Sequence, residues 1–383
     1  MPFIGWRKPQ LLELEQGVCG LPQFLKENGF GKALIVTGPT IRKIGLIDGL
    51  LSAMTDSGMD FAIFDKVQPN PTIDNIEDGV KLYNEQKCSC IIAFGGGSNM
   101  DCAKIIGARI ARPKKQVCKM KGLLKVGKNI PPFFAIPTTA GSGSETTLAA
   151  VISNPLTHEK YPINDTHIIP HYALLDPQLT VALPPLTTAT TGMDALTHAV
   201  EAYIGKSNTR ETTEMAVSAI KLIFSNLRKA VEHGDDINAR KNMQVASYKA
   251  GVAFTRAYVG YVHAIAHALG GFYQIPHGLA NAVILPYVLE RYGECIHYQL
   301  ASLSFFVGLG TFTASEKANA DIFIQAIRNM NDSFGIPNKI IGIKKEDIPQ
   351  MAERAYKEAT PLYPVPRMFD KKELEEIFAE IAE

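Results

Sequence analysis

The chain has 383 residues, of which 46% are hydrophobic and 20% are charged, and its formal net charge is +1. This length favours about two or three domains, and the composition is typical of a globular protein with a large core. A net charge so close to zero gives no electrostatic reason to expect a nucleic acid or an anionic membrane as partner. A metabolite-sized partner fits better.

The cellular compartment is indicated by the first residues and by the cysteines. The segment MPFIGWRKPQ has no apolar core of the kind that secretory signals carry. No stretch approaches the roughly 18 apolar residues that a membrane helix needs. The six cysteines lack zinc-ribbon spacing, and a chain of this size needs no disulfides, which favours a reducing compartment. We therefore expect a soluble, cytoplasmic protein.

In the first half of the chain, short apolar runs alternate with stretches of helical length. The runs that predict strands span residues 32–37, 60–65, 89–95, 132–137 and 172–177. An amphipathic stretch over residues 73–86 predicts one of the intervening helices. This alternation is typical of a parallel sheet wrapped by helices.

The pattern changes near Pro184 and Pro185. Beyond them, apolar residues recur at helical spacing, as in Ala216, Ile220 and Ile223, and strand-like runs become scarce. We therefore predict an α/β domain over residues 1–183, followed by an all-α domain over residues 184–383.

Two loops of small residues follow predicted strands. The glycine loop (residues 94–98) ends in Gly96, Gly97 and Ser98 and precedes a helix start, where backbone N–H groups and the helix dipole favour a phosphate. Met100 breaks the G-x-G-x-x-G fingerprint, so this loop alone is equally consistent with a tight turn. The hydroxyl loop (residues 137–145) is rich in Thr and Ser. Two such loops together favour a nucleotide cofactor.

The second half carries a pattern that suits a metal ion. Asp194 and His198 are four residues apart, and so are His263 and His267, so each pair shares a helix face; His277 follows. One carboxylate with imidazoles suits Fe²⁺ or Zn²⁺. Any one histidine could instead be a hydrogen-bonded core residue. A cation that polarises an oxygen beside a dinucleotide indicates hydride transfer at a carbinol carbon.

Four segments resemble the iron-containing (group III) alcohol dehydrogenases: residues 95–104, 136–145, 191–203 and 262–286. They stand in the order and spacing of that family, and the resemblance covers essentially the whole chain. It implies a dehydroquinate synthase-like architecture with an amino-terminal dinucleotide-binding domain, a helical carboxy-terminal domain and an active site in the cleft between them. It also implies a homodimer, which is common among relatives.

The resemblance further implies roles for individual residues. The implied metal ligands are Asp194, His198, His263 and His277, with Fe²⁺ as the ion, although purified protein could hold Zn²⁺. The cofactor positions, to which we add Asp101 at the start of the helix after the glycine loop, are Asn70, Gly96, Gly97, Ser98, Asp101, Thr138, Thr139, Ser142, Lys160 and Leu179. His267 matches a histidine that lies near the nicotinamide and does not bind the metal.

We expect His267 to assist proton transfer. A further protein ligand would close the coordination position that a substrate needs, and an unperturbed histidine pKa of about 6.5 suits that work. The alternative is a histidine that is hydrogen-bonded for packing.

The chain departs from many NAD-preferring relatives at Gly38, where they carry Asp. An acid there would bind the ribose hydroxyls and repel a 2′-phosphate. Gly38 removes this repulsion, Thr40 adds a hydroxyl, and Arg42 and Lys43 add positive charge. The sequence therefore favours NADP(H) over NAD(H), although Gly38 could merely serve the turn.

These observations predict a metal-dependent alcohol dehydrogenase, and the resemblance implies short-chain primary alcohols, including diols, or their aldehydes as substrates. One alternative is a zinc polyol enzyme like glycerol dehydrogenase, which has fewer histidine ligands. Another is a lyase or synthase like dehydroquinate synthase, which recycles its cofactor internally. A metal-binding protein without catalysis would leave the two loops unexplained.

Overall fold

The computed structural model describes residues 6–154 and 159–383, except for the side chains of residues 154, 159 and 160. The chain divides into two compact units, with the first ending at Thr180 and the second beginning at Val181. The proposed boundary between residues 183 and 184 lies close to this point.

Within its described residues, the first unit contains two sheets and five α-helices. Its strands are β1 (Gln10–Leu12), β2 (Ala33–Val36), β3 (Phe61–Phe64), β4 (Cys90–Gly95), β5 (Gly122–Leu123), β6 (Phe133–Pro137), β7 (Ala149–Asn154), β8 (Glu159–Asn164) and β9 (Tyr172–Leu174). Its helices are α1 (Leu21–Glu27), α2 (Pro39–Lys43), α3 (Asp48–Asp56), α4 (Ile73–Glu85) and α5 (Gly97–Ala111).

The main sheet is parallel, in the order β1-β9-β6-β4-β2-β3. Strand β4 is buried at every position, and its side chains alternate between two apolar clusters: Ile91 and Ala93 join one, and Cys90, Ile92 and Phe94 join the other. Burial on both faces is why parallel strands read as continuous apolar runs. All five predicted strands and the helix over residues 73–86 are confirmed.

A second sheet, in the order β5-β8-β7, has no counterpart in the sequence prediction. Strand β5 has only two residues, and β8 contains Pro162, which cannot donate a ladder hydrogen bond and so argues against a strand. Strand β7 pairs antiparallel with β8. Propensity alone therefore does not indicate this sheet.

Helices build the second unit, as predicted. They are α6 (Pro185–Ile204), α7 (Arg210–Glu232), α8 (Ile237–Ala257), α9 (Tyr261–Tyr273), α10 (His277–Tyr292), α11 (His297–Phe306), α12 (Glu316–Ser333), α13 (Ile348–Ala359) and α14 (Lys371–Ile381). Side-chain caps at Thr209, Asp236, Ser315 and Asp370 start four of them. Across the described part of the chain, no helix is long and apolar enough to cross a membrane.

Candidate functional site

Three helices of the second unit bring four metal-type donors together. Helix α6 carries Asp194 and His198 on one face, α9 carries His263, and α10 begins at His277. One ligand atom from each of the four lies within 4.8 Å of every other. The helical spacing of Asp194 and His198 therefore produces the shared face that it predicted.

The start of α10 is held close to α6 by local backbone features. Gln274 ends α9 in the left-handed conformation, and Pro276 directly precedes the first residue of α10, His277. A Cβ on Gly278 would lie 2.5 Å from the carbonyl oxygen of Thr190. Only glycine allows this approach, which places His277 Nε2 at 3.6 Å from Asp194 Oδ1.

Neighbouring side chains support the two buried histidine donors, His198 and His263. Burial, together with His198 and His277, lowers the pKa of His263 well below its ordinary value, so that this ring keeps a lone pair for a metal. The His198 ring stacks on Phe254, with centroids 4.1 Å apart. The Nδ1 of His263 lies 2.5 Å from Glu201 Oε2. Burial raises the pKa of the Glu201 carboxyl to about 7, and a dication on His263 would favour its charged form.

The Asn281 carboxamide lies within hydrogen-bonding distance of three of the four candidate ligands. Its Nδ2 lies 2.7 Å from Asp194 Oδ1, 3.2 Å from His263 Nε2 and 3.1 Å from His277 Nε2. Acceptors from three helices thus point at one small region. Together with the carboxylate–imidazole donor set, this convergence fits a borderline divalent cation such as Fe²⁺ or Zn²⁺.

His267 lies beside this group and is not one of the four converging donors. Its ring stacks on His277, with centroids 5.3 Å apart, and its Nδ1 lies 2.6 Å from Glu358 Oε1. Desolvation lowers the pKa of His267 and the Glu358 carboxylate raises it; the carboxylate prevails, so the pKa lies above its ordinary value. Our expectation of an unperturbed pKa is therefore wrong, because the sequence does not reveal Glu358.

In the first unit, the two nucleotide-type loops touch each other. A Cβ on Gly96 would lie 3.6 Å from Thr139 Oγ1, and one on Gly97 would lie 3.5 Å from Ser142 Oγ. The N–H of Thr138 donates to the carbonyl oxygen of Gly95. The loops meet because β4 and β6 are adjacent parallel strands, whose carboxyl ends share one edge of the sheet.

Two further features complete this edge. Gly95 has a φ of 145°, and a Cβ there would lie 1.7 Å from Asn99 Nδ2, so glycine is required. The backbone N–H of Asn70 lies 3.4 Å from Ser98 Oγ. The structure therefore groups Asn70 and Ser98 with the two loops.

Both carboxylate oxygens of Asp101 are engaged by groups of the protein. Its carboxylate accepts hydrogen bonds from Ser144 Oγ at 3.2 Å and from the N–H of Val151 at 3.0 Å. The fully buried Lys104 ammonium donates to Thr147 Oγ1 at 2.7 Å and to the carbonyl oxygen of Ala149 at 2.9 Å. These contacts tie the end of the hydroxyl loop to α5.

The other expected cofactor positions lie on three separate elements of the first unit. Leu179 is buried in the apolar cluster on one face of the main sheet, and Thr40 is exposed on α2. Lys160 belongs to β8, but its side chain lies outside the described set.

Gly38 precedes α2 in an extended conformation that any residue can adopt. A Cβ there would lie 3.3 Å from both Asn99 Oδ1 and the carbonyl oxygen of Val67. Arg42, which the sequence offered as positive charge for a 2′-phosphate, lies 3.5 Å from Asp48 and 3.6 Å from Asp65. Part of its charge is therefore already balanced.

Sequence reasoning missed three polar residues at the candidate metal centre: Glu201, Asn281 and Glu358. The first two carried a signal, because Glu201 follows His198 by three residues and Asn281 follows His277 by four, each spacing that of one helix face. Glu358 gave no such signal in the sequence, because it lies far along the chain from the histidines and on another helix.

Models of known protein families match both units of the chain. A family model described as iron-containing alcohol dehydrogenase matches residues 14–177. A second, described as the C-terminal part of the Fe-containing alcohol dehydrogenase family, matches residues 188–382.

Similar individual proteins cover most of the chain. A 1,3-propanediol dehydrogenase from Citrobacter freundii is 41% identical over 355 residues, which are 91% of each chain. An NAD-dependent methanol dehydrogenase from Bacillus methanolicus is 40% identical and covers 87% of this chain and 88% of its own. The crystal structure of a 1,3-propanediol oxidoreductase superposes with a TM-score of 0.93 at 37% identity, over 98% of both chains.

Proposed function

The chain belongs to the iron-containing alcohol dehydrogenase family, and from this premise we propose that it interconverts short-chain primary alcohols and aldehydes with a nicotinamide cofactor and a divalent metal ion. The observation that carries the proposal is the convergence of Asp194, His198, His263 and His277. Oxidoreductase activity follows from the family, whereas the substrate, the preferred nicotinamide and the ion are part of the proposal.

The four converging residues would hold the ion. One carboxylate and three neutral imidazoles leave a dication with residual positive charge, and a bound ion of this kind supplies Lewis-acid polarisation of a substrate oxygen. His267 stays outside the donor set. The Glu358 carboxylate raises the pKa of its ring, so the ring holds a proton more readily. It is therefore the side chain that we assign to proton transfer.

The two loops of the first unit would bind the dinucleotide. Gly96 directly precedes α5, and Gly97 and Ser98 begin it, where backbone N–H groups without helical partners suit a pyrophosphate. Thr138, Thr139 and Ser142 offer hydroxyls beside them. Asp101 supports this site indirectly, by anchoring Ser144 of the hydroxyl loop.

For the nicotinamide, we propose that NADP(H) is accepted because no carboxylate stands at Gly38 to repel a 2′-phosphate. The ion pairs of Arg42 weaken this preference, since they engage part of the charge that would attract the phosphate. The relative from Bacillus methanolicus is named as NAD-dependent. Use of both cofactors is therefore the expected outcome.

For the substrate, we propose short primary alcohols, including diols, and the corresponding aldehydes. Relatives named as 1,3-propanediol, methanol and lactaldehyde enzymes support this range. The proposal also includes assembly as a homodimer, which sedimentation equilibrium would test.

The decisive experiment measures net turnover. Protein reconstituted anaerobically with Fe²⁺, and in parallel with Zn²⁺, is assayed with primary alcohols, diols and glycerol, each with NAD⁺ and NADP⁺. We expect reduced nicotinamide to accumulate with primary alcohols or diols, and the His277→Ala protein to be inactive. Preference for glycerol with zinc would favour the polyol enzyme. No net reduction with any alcohol would favour a lyase or synthase.

A further inference from the structure

Glu201 is buried between the helices that carry the candidate ligands. It lies on α6, one helical turn after His198, and is only 4% exposed. Its Oε2 lies 2.5 Å from His263 Nδ1, and its Oε1 accepts the N–H of Val262 at 2.8 Å. Both carboxylate oxygens therefore engage the first turn of α9.

The chain leaves room for this carboxylate at one backbone position. A Cβ on Gly260, the residue that precedes α9, would lie 2.8 Å from Glu201 Oε1 and 3.3 Å from its Cδ. The first N–H groups of a helix have no partner inside the helix, and a negative charge is favourable there. Glu201 thus caps α9 from another helix while it contacts the His263 ring.

The contact determines which nitrogen of His263 carries the proton. With an ion bound at Nε2, the charged form of Glu201 is favoured, and a charged carboxylate only accepts hydrogen bonds, so Nδ1 donates and Nε2 keeps its lone pair for the ion. That Nε2 is the atom at 3.2 Å from Asn281 Nδ2, on the side where the other donor atoms converge. A partner on the second ring nitrogen orients a metal-binding histidine and raises its basicity.

From this geometry we propose that Glu201 is a positioning residue for the metal centre: it holds His263 in the tautomer and orientation that direct Nε2 to the ion. The inference rests on the proposed function only in requiring that the four donors bind a metal. It assigns a role to a residue that does not itself contribute a ligand atom to the group.

The Glu201→Gln variant tests the proposal with nearly unchanged volume. Its one carbonyl oxygen can still accept the N–H of Val262, but its NH₂ then faces His263 Nδ1 and favours the tautomer whose proton sits on Nε2. Metal-free protein titrated with Zn²⁺ against a chelating dye should bind the ion about 10- to 100-fold more weakly than wild type. Far-ultraviolet circular dichroism and nucleotide binding should be unchanged.

Thr197→Val is the matched control. Thr197 is fully buried on the same helix, and its hydroxyl donates to the carbonyl oxygen of Met193 at 2.9 Å, with no ligand involved. This variant should bind Zn²⁺ with wild-type affinity, which shows that loss of a buried polar group on α6 does not by itself disturb the site.

A double-mutant cycle separates positioning from a merely structural role. If Glu201 acts through His263, then Glu201→Gln should cause little further loss of Zn²⁺ affinity in a His263→Ala background. Undiminished loss in that background, or wild-type affinity of the single variant, would overturn the proposal. If Glu201→Gln does not fold, Gly260→Ala displaces the carboxylate instead and should also weaken Zn²⁺ binding. Failure of wild-type protein to bind Zn²⁺ or Fe²⁺ would instead overturn the proposed function.

Discussion

The Nδ1 of His267 on α9 lies 2.6 Å from the Oε1 of Glu358 on α13, and the same oxygen accepts the hydroxyl of Tyr363 at 2.6 Å. His267 therefore has a fixed ring orientation and a pKa above its ordinary value. A histidine that sits beside the donor group without joining it is placed for proton transfer.

Replacing His267 by Ala should preserve metal content and lower kcat by about 100-fold or more, because general acid–base groups typically contribute at least that much. Wild type should show an inflection in its pH–rate profile that His267→Ala abolishes. Glu358→Gln removes the stabilising carboxylate and should move it to lower pH. Loss of the metal in His267→Ala would make this residue a ligand, and a normal kcat with an unchanged profile would leave it only a packing role.

Replacing His277 by Ala should remove the metal and leave nucleotide binding intact. One of the four converging donors is lost, while the two loops lie in the other unit. Elemental analysis of the purified variant, with fluorescence titration by NADPH, measures both. A fully metallated and active His277→Ala protein would contradict the ligand assignment.

Replacing Gly38 by Asp should lower kcat/KM for NADP(H) far more than for NAD(H), because the carboxylate repels the 2′-phosphate. The Gly38→Asn variant is the control, since it adds nearly the same volume beside Asn99 and Val67 without charge. Equal losses with both cofactors in the Asp variant, or the same discrimination in the Asn variant, would count against a charge effect.

Lys104 should matter for nucleotide binding through the loop that it anchors. Lys104→Met removes the donors to Thr147 and Ala149 and the nearby positive charge that acts to lower the pKa of the buried Asp101 carboxyl. Each buried acceptor left without a partner costs about 1–3 kcal/mol of stability. We expect a lower thermal midpoint and a higher Kd for NADPH, with unchanged metal content. Wild-type nucleotide affinity in a folded variant would show that the loop does not depend on this anchor.

His171 should make the stability of the first unit depend on pH. Its Nδ1 accepts the N–H of Phe133 at 3.2 Å, and burial, aided by Arg7, lowers its pKa to about 4. Between about pH 6.5 and pH 4, the unfolded chain binds a proton that the native state does not, so the free energy of unfolding falls as pH falls through this window. Above it, the contribution is constant. In His171→Gln, urea midpoints at the two ends of the window should differ less than in wild type.

The sequence by itself determined the helices and strands in which apolar or functional side chains recur at the spacing of the element. Strand β4 reads as an apolar run because both of its faces are buried, and Asp194 and His198 share a helix face because a turn takes nearly four residues. The glycine loop could also be predicted from the sequence. Gly95 has a positive φ and lies so close to the Asn99 side chain that only glycine fits there. These features depend on near neighbours in the chain.

The tertiary structure alone decided which partners those side chains meet. Asp101 stands where a helix start was predicted, yet its carboxylate turns to Ser144 and the N–H of Val151. Arg42 is partly balanced by Asp65 of a neighbouring segment, and Glu358 reaches His267 from a helix 91 residues further along the chain. A local period defines the face of an element, but a pKa depends on charges that only folding brings within a few ångströms.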